Sequence, residues 1–87
     1  HKDAGKAEKA AEYFAELIRK SLHERVLGPN KPVVGRIQLY HIREILLKLE
    51  NGLSAHQIRD ILKKAEDRIR HEPDLKQVIL YYDVDPL

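Results

Sequence analysis

The chain reads as a small α+β domain, and three observations lead there. Two stretches repeat apolar residues at three- and four-residue steps, one near the start and one following Ser54. Between and after them lie segments rich in Val, Ile, Leu and Tyr, which favour extended backbone. Apolar runs meet prolines at their ends, in Val26-Leu27-Gly28-Pro29 and in Tyr82-Asp83-Val84-Asp85-Pro86, so both phrases read as strand ends.

The first helix begins at a candidate N-cap, Asp3, with the helical pattern running from Lys6. Ala7, Ala10, Ala11, Phe14, Leu17, Ile18 and Leu22 form its apolar stripe, and Lys9, Glu12, Glu16, Arg19 and Lys20 take the opposite side. Its alanines favour helix and permit close packing on a flat partner such as a sheet. The helix ends near His23 and Glu24, where Arg25-Val26-Leu27 turns toward β character. Gly28-Pro29-Asn30-Lys31-Pro32 is expected as a loop, because two prolines and a glycine so close together exclude regular structure.

Val33 to Glu50 reads as an extended ribbon whose alternation breaks phase. Val33, Ile37 and Leu39 are odd, Ile42 is even, and Ile45, Leu47 and Leu49 are odd again. A bulge or bend around Tyr40 to Arg43 reconciles the stretches, since one extra residue flips the side-chain phase. Helix is the rival reading for Ile42 to Leu49. Asn51-Gly52 then turns the chain, and Ser54 with Gln57 three residues on is a capping-box signature. The second helix buries Ile58, Ile61, Leu62, Ala65 and Ile69, with Arg59, Lys63, Lys64, Asp67 and Arg70 outward. Glu72 precedes Pro73, which pushes it out of helical geometry and sets the stop. Lys76 to Val84 is expected as a last strand covered on both faces, with one of Tyr81 and Tyr82 filling the core.

Helix, short strand, long strand, helix, strand becomes the β-α-β-β-α-β ferredoxin-like plan if one strand precedes His1. The expectation is that the chain's boundary, at a His rather than an initiator Met, cuts off that strand and leaves His1-Lys2-Asp3 as its exit. The lost strand is central in the plan, so open backbone edges and dimerisation or strand exchange are expected in isolation.

Composition narrows the function. At 87 residues there is room for one domain, spanning 1–87, and at 43% hydrophobic residues there is enough for a core. Cys is absent, which removes disulfides and thiolate metal sites and fits a reducing, cytoplasmic setting. No apolar run approaches the ~20 residues that span a bilayer. The formal charge of +2 is too small to argue nucleic-acid binding by net electrostatics. The five histidines sit on different elements without a helical i, i+4 pair, so they read as surface residues. Ser54 is explained by capping, and Ser21 has no partner in register for a nucleophilic triad. Gly28, Gly35 and Gly52 are too scattered to cradle phosphate, which excludes nucleotide hydrolysis by this segment. The candidate binding surface is the ribbon. Arg36, Gln38, Tyr40 and Arg43, with Arg25 and Lys31 flanking the Gly-Pro loop, can hydrogen-bond phosphates and stack on bases. The plain alternative is a solvated polar strand face.

The order and spacing of Leu27-Gly28-Pro29, the ribbon with Ile45-Leu46-Leu47, and the terminal Asp83-Val84-Asp85-Pro86 carry a resemblance over nearly the whole chain. It resembles the carboxy-terminal domain of the primosomal protein N′ (PriA) family of replication-restart DNA helicases. The resemblance implies a ribosomal-protein-S10-like, ferredoxin-like sheet with two helices on one face. It implies a non-catalytic part of an ATP-dependent helicase, contacting forked and single-stranded DNA, single-stranded DNA-binding protein and the other helicase domains. ATP, magnesium and zinc would belong to those other domains, with no cofactor here. Family members often carry an Arg, then a Gln four residues later, ahead of the apolar run, facing the pocket for the acidic tail of single-stranded DNA-binding protein. Aligned on Ile45-Leu46-Leu47 those positions are Tyr40 and Glu44, and Glu44 would repel a carboxylate. The alternative is the dimerising cytosolic domain of a cation-efflux transporter, which predicts metal-binding His and Asp at a dimer surface. An S10-like RNA-binding protein comes third, weakened by the near-neutral charge.

Overall fold

A computed structural model describes residues 1–32, 36–37, 40–48 and 54–82. It is an α+β structure in which α1 (Ala4–Leu22) and α2 (Ala55–Arg70) pack on each other and α1 also covers an antiparallel strand pair, β1 (Val26–Asn30) with β4 (Glu44–Leu47). A second short pair joins β2 (Arg36–Ile37) to β3 (Tyr40–His41).

Local chemistry places both helices. The Asp3 carboxylate accepts from the Lys6 N–H at 3.0 Å and satisfies a donor that no helical carbonyl can reach. Six α1 residues are buried, Ala7, Ala10, Phe14, Ala15, Ile18 and Leu22. Ala15 is an addition to the expected stripe, while Ala11 and Leu17 are half-buried at its border. After α1 the chain makes a 3-10 turn, His23–Arg25, entered through His23 at φ 50° with its N–H on the Arg19 carbonyl. At α2 the Ser54 hydroxyl accepts from the Gln57 N–H at 3.4 Å. Ile58, Ala65 and Ile69 are buried, with Ile61 and Leu62 packed against the core, and the helix stops two residues before Glu72. Leu75, Val78 and Val26 complete the core between the helices and β1.

Residues 28–30 correct the loop expected there. β1 runs through Gly28 and Pro29, and Asn30 pairs with Glu44 after Val26 pairs with Leu47 and Leu27 with Leu46. The register slips by one residue between Leu27 and Asn30, so Gly28 and Pro29 together face Ile45 in a bulge. Pro29 costs no ladder bond at such a place, and Gly28 supplies the φ of 106°. The peptide bond between them is cis. The Gly28 carbonyl is tied back to α1 by Arg19, whose Nη2 donates to it at 2.9 Å.

Strand, not helix, holds at Glu44–Leu47, with Glu44 and Leu46 exposed and Ile45 and Leu47 turned toward the core. The ribbon breaks at Ile42 and Arg43, inside the expected bend. Val33, Leu39, Leu49 and the Asn51-Gly52 turn lie outside the described residues. The Lys48 N–H donates to the Arg25 carbonyl at 2.9 Å, which fixes the parity of the ladder. Glu44, Leu46 and Lys48 therefore point backbone groups at β1, and Ile45 and Leu47 point theirs at the opposite edge. That is also the side on which His41 meets His1. The His41 N–H donates to the His1 carbonyl at 2.7 Å and the His1 amine donates back to the His41 carbonyl at 3.0 Å, an antiparallel rung.

The last strand is not formed in its described part. Residues 76–77 lie in turns and 78–82 are irregular, while 83–87 lie outside the described residues. Strand structure needs a neighbour to share ladder bonds, and 78–82 have none among the described residues. Arg70 holds the start of the segment, its Nη1 donating to the Lys76 carbonyl at 3.0 Å and also to the Val78 carbonyl. Only one side of the segment is covered. Val78 is buried and Leu80 packs on the core, but Tyr81 is 89% exposed and Tyr82 51% exposed. Neither tyrosine fills the core, against expectation. Among the described residues the pairs form separate two-stranded ladders rather than one four-stranded sheet.

Candidate nucleic-acid interface

Four of the six expected site residues belong to the ribbon, and three of them, Arg36, Tyr40 and Arg43, are among the described residues. Tyr40 on β3 is 39% exposed, and its backbone pairs with Ile37. The Lys2 ammonium lies 5.8 Å from the centroid of its ring, within cation–π range. Arg36 lies on β2 with its backbone paired to His41. Arg43 follows β3, and its placement differs from that of an open phosphate ligand. Its side chain is only 9% exposed, Nε donates to the Glu8 carboxylate of α1, and Nη1 donates to the Ile42 carbonyl at 2.8 Å. A guanidinium held this way joins helix to ribbon and has little surface for DNA.

The flanking residues diverge. Lys31 follows β1 and is exposed. Arg25 closes the 3-10 turn, half-buried, with Nε buried and without a hydrogen-bond partner among the described residues. Gln38 lies outside the described residues. Glu44, the residue expected to oppose an acidic tail, is exposed on β4.

Beside Tyr40 is a cleft of about 220 Å³ lined by His1, Lys2, Tyr40, Gln77 and Ile79. It brings an aromatic face, an ammonium and a carboxamide together, as base stacking and phosphate pairing require. Burial and, second, the Arg43 guanidinium lower the pKa of the His1 amine here. A wider cleft of about 350 Å³ between the helices, lined by Ser21, Leu22, Gln57, Ile58, Asp60 and Ile61, has no basic side chain and none of the ribbon candidates in its lining. Among the described residues no three His, Asp or Glu come together as a metal site. Among them also, no helix is long and apolar enough to cross a membrane.

Sequence reasoning missed Lys2 and Gln77 as neighbours of Tyr40, and Glu8 as the partner of Arg43. No local pattern marks them, because each pairing joins residues far apart in the chain. No family model matches this chain, and no curated protein or solved structure matches it.

Proposed function

We propose that this chain is a non-catalytic binding domain of a replication-restart DNA helicase of the primosomal protein N′ type. The observation that carries the reading is the exposed Tyr40 ring with the Lys2 ammonium against it, at the mouth of the His1–Gln77 cleft. A base from a single strand or a fork stacks on Tyr40 while Lys2 neutralises the adjoining phosphate. Exposed Lys31 and half-buried Arg25 flank the ribbon, and the sequence adds Arg36 and Gln38 to the same candidate set. Arg43 acts indirectly by holding the ribbon to α1.

The finer fold in this reading is ferredoxin-like, and the rung between His1 and His41 supports it. It starts an antiparallel pairing on the side where the plan puts a further strand. ATP, magnesium and zinc belong to other domains of such a helicase. Docking of single-stranded DNA-binding protein is part of the reading, though exposed Glu44 works against capture of an acidic tail.

Fluorescence anisotropy with a labelled oligothymidylate, over a salt series, tests the reading on this chain. Tyr40→Ala should weaken binding by about tenfold, from base–aromatic stacking worth about 1–3 kcal/mol, and Tyr40→Phe should not. Lys2→Ala should flatten the dependence of log affinity on log salt by roughly one phosphate's share. Equal affinity of Tyr40→Ala and the parent at every salt concentration would count against it.

A further inference from the structure

We propose that the outer edge of β4 is a self-association surface in this 87-residue chain, with β4 of a second copy running antiparallel along it and Leu46 on the two-fold axis. Backbone parity comes first. Ile45 and Leu47 present their N–H and C=O groups to the edge away from β1, and no described residue is bonded to them there. The His1–His41 rung covers the neighbouring stretch of that edge, which leaves Glu44 to Lys48 as the part to which no described residue is bonded. An open run of ladder groups is a template for another strand.

Side chains then select the partner. With Leu46 opposite Leu46 of the second copy, Ile45 of each copy faces Leu47 of the other, and both are edge-pointing residues that can exchange ladder bonds. The same register sets Glu44 directly opposite Lys48 of the second copy, twice by symmetry. Glu44, Leu46 and Lys48 are all exposed on one face of the strand, and Leu46 is 50% exposed. The pattern of acid, leucine and base at alternate positions is thus complementary to itself when reversed, as an isologous contact requires. Pairs of this non-hydrogen-bonded type bring side chains close, and opposite charges there stabilise. Within one chain Glu44 and Lys48 lie roughly 13 Å apart along the strand, too far to pair with each other. On the other face Ile45 and Leu47, packed at the border of the core, gain apolar neighbours from the second copy. This contact is independent of Tyr40 and Lys2, so its failure leaves the proposed DNA contact standing.

Charge reversal tests the register. Sedimentation equilibrium of the parent chain should show a concentration-dependent dimer. Glu44→Lys alone and Lys48→Glu alone should each weaken it by about tenfold, since each sets like charges opposite one another twice. The double variant Glu44→Lys with Lys48→Glu should return the dimer to within about threefold of the parent. Circular dichroism verifies that each variant keeps its helices. Amide exchange gives a second reading, in which Ile45 and Leu47 gain protection as concentration rises. A monomer at every concentration, a double variant no better than the singles, or unchanged exchange at Ile45 and Leu47 overturns the proposal.

Discussion

Arg43 and Glu8 form an ion pair that fastens the break in the ribbon to the first helix. The Arg43 guanidinium is almost fully covered while the Glu8 carboxylate is 41% exposed, so the arginine carries most of the desolvation. Its second donor is used on the Ile42 carbonyl, one residue back. Removing the carboxylate would leave a covered charge with a single neutral partner, which is costlier than losing the pair together.

Arg43→Ala should therefore lower stability by about 1–3 kcal/mol, read as a lower urea midpoint with an unchanged slope. Glu8→Ala, which strands the covered guanidinium, should cost more than Arg43→Ala, and Glu8→Gln, which keeps a hydrogen-bond acceptor, should cost less than Glu8→Ala. The salt dependence of oligonucleotide binding should be the same for Arg43→Ala as for the parent once both are folded. A flatter salt dependence with unaltered stability would instead make Arg43 a phosphate ligand.

Gly28→Ala tests the bulge. At φ 106° an L side chain is strained, and its Cβ would lie 3.0 Å from the Glu44 carbonyl oxygen and 3.1 Å from the Asn30 nitrogen. Both are backbone atoms of the paired strands, so neither can swing aside. A loss of about 1–3 kcal/mol in urea denaturation is expected. An unchanged midpoint would show that the strands do not meet through this bulge.

Tyr82 gives a pH-dependent prediction. Tyr82 is 51% exposed, and its partial burial and, second, the Glu66 carboxylate raise its pKa above the ordinary 10.0, while Arg70 pulls the other way. The folded chain therefore holds this proton more tightly than the unfolded chain. Its contribution is fully present below about pH 10 and is lost as pH rises through the folded pKa. Glu66→Gln should bring the phenol titration, followed by ultraviolet absorbance, closer to normal. Arg70→Ala should raise it further and also loosen residues 76–78, whose carbonyls it holds. A Tyr82 titration unaffected by Glu66→Gln would place the phenol elsewhere.

The helices were legible because their rules are short-range. Asp3 and Lys6, or Ser54 and Gln57, are three residues apart, and a buried stripe such as Ile58, Ala65 and Ile69 repeats within one helix. The alternation at Glu44–Leu47 was legible for the same reason, since side chains change face at every residue. The Gly28-Pro29 phrase misled because a bulge is a property of two strands. Whether Pro29 ends a ladder depends on what stands opposite, and that is Ile45. Of the candidate surface, Tyr40 was legible as an exposed aromatic, but its ammonium neighbour Lys2 was not.

Periodicity and caps along the chain were enough to establish two amphipathic helices, a β segment between them and an α+β class. Long-range contact settled the rest: the bulge at Gly28, the neutralised Arg43 with its carboxylate 35 positions away, the exposed Tyr81 and Tyr82, and the run at 78–82, which pairs with no strand among the described residues. The reason is where the bonds come from. A helix satisfies its backbone from its own next turn, whereas a strand, a bulge or a covered charge is stable only when a distant residue arrives to complete it.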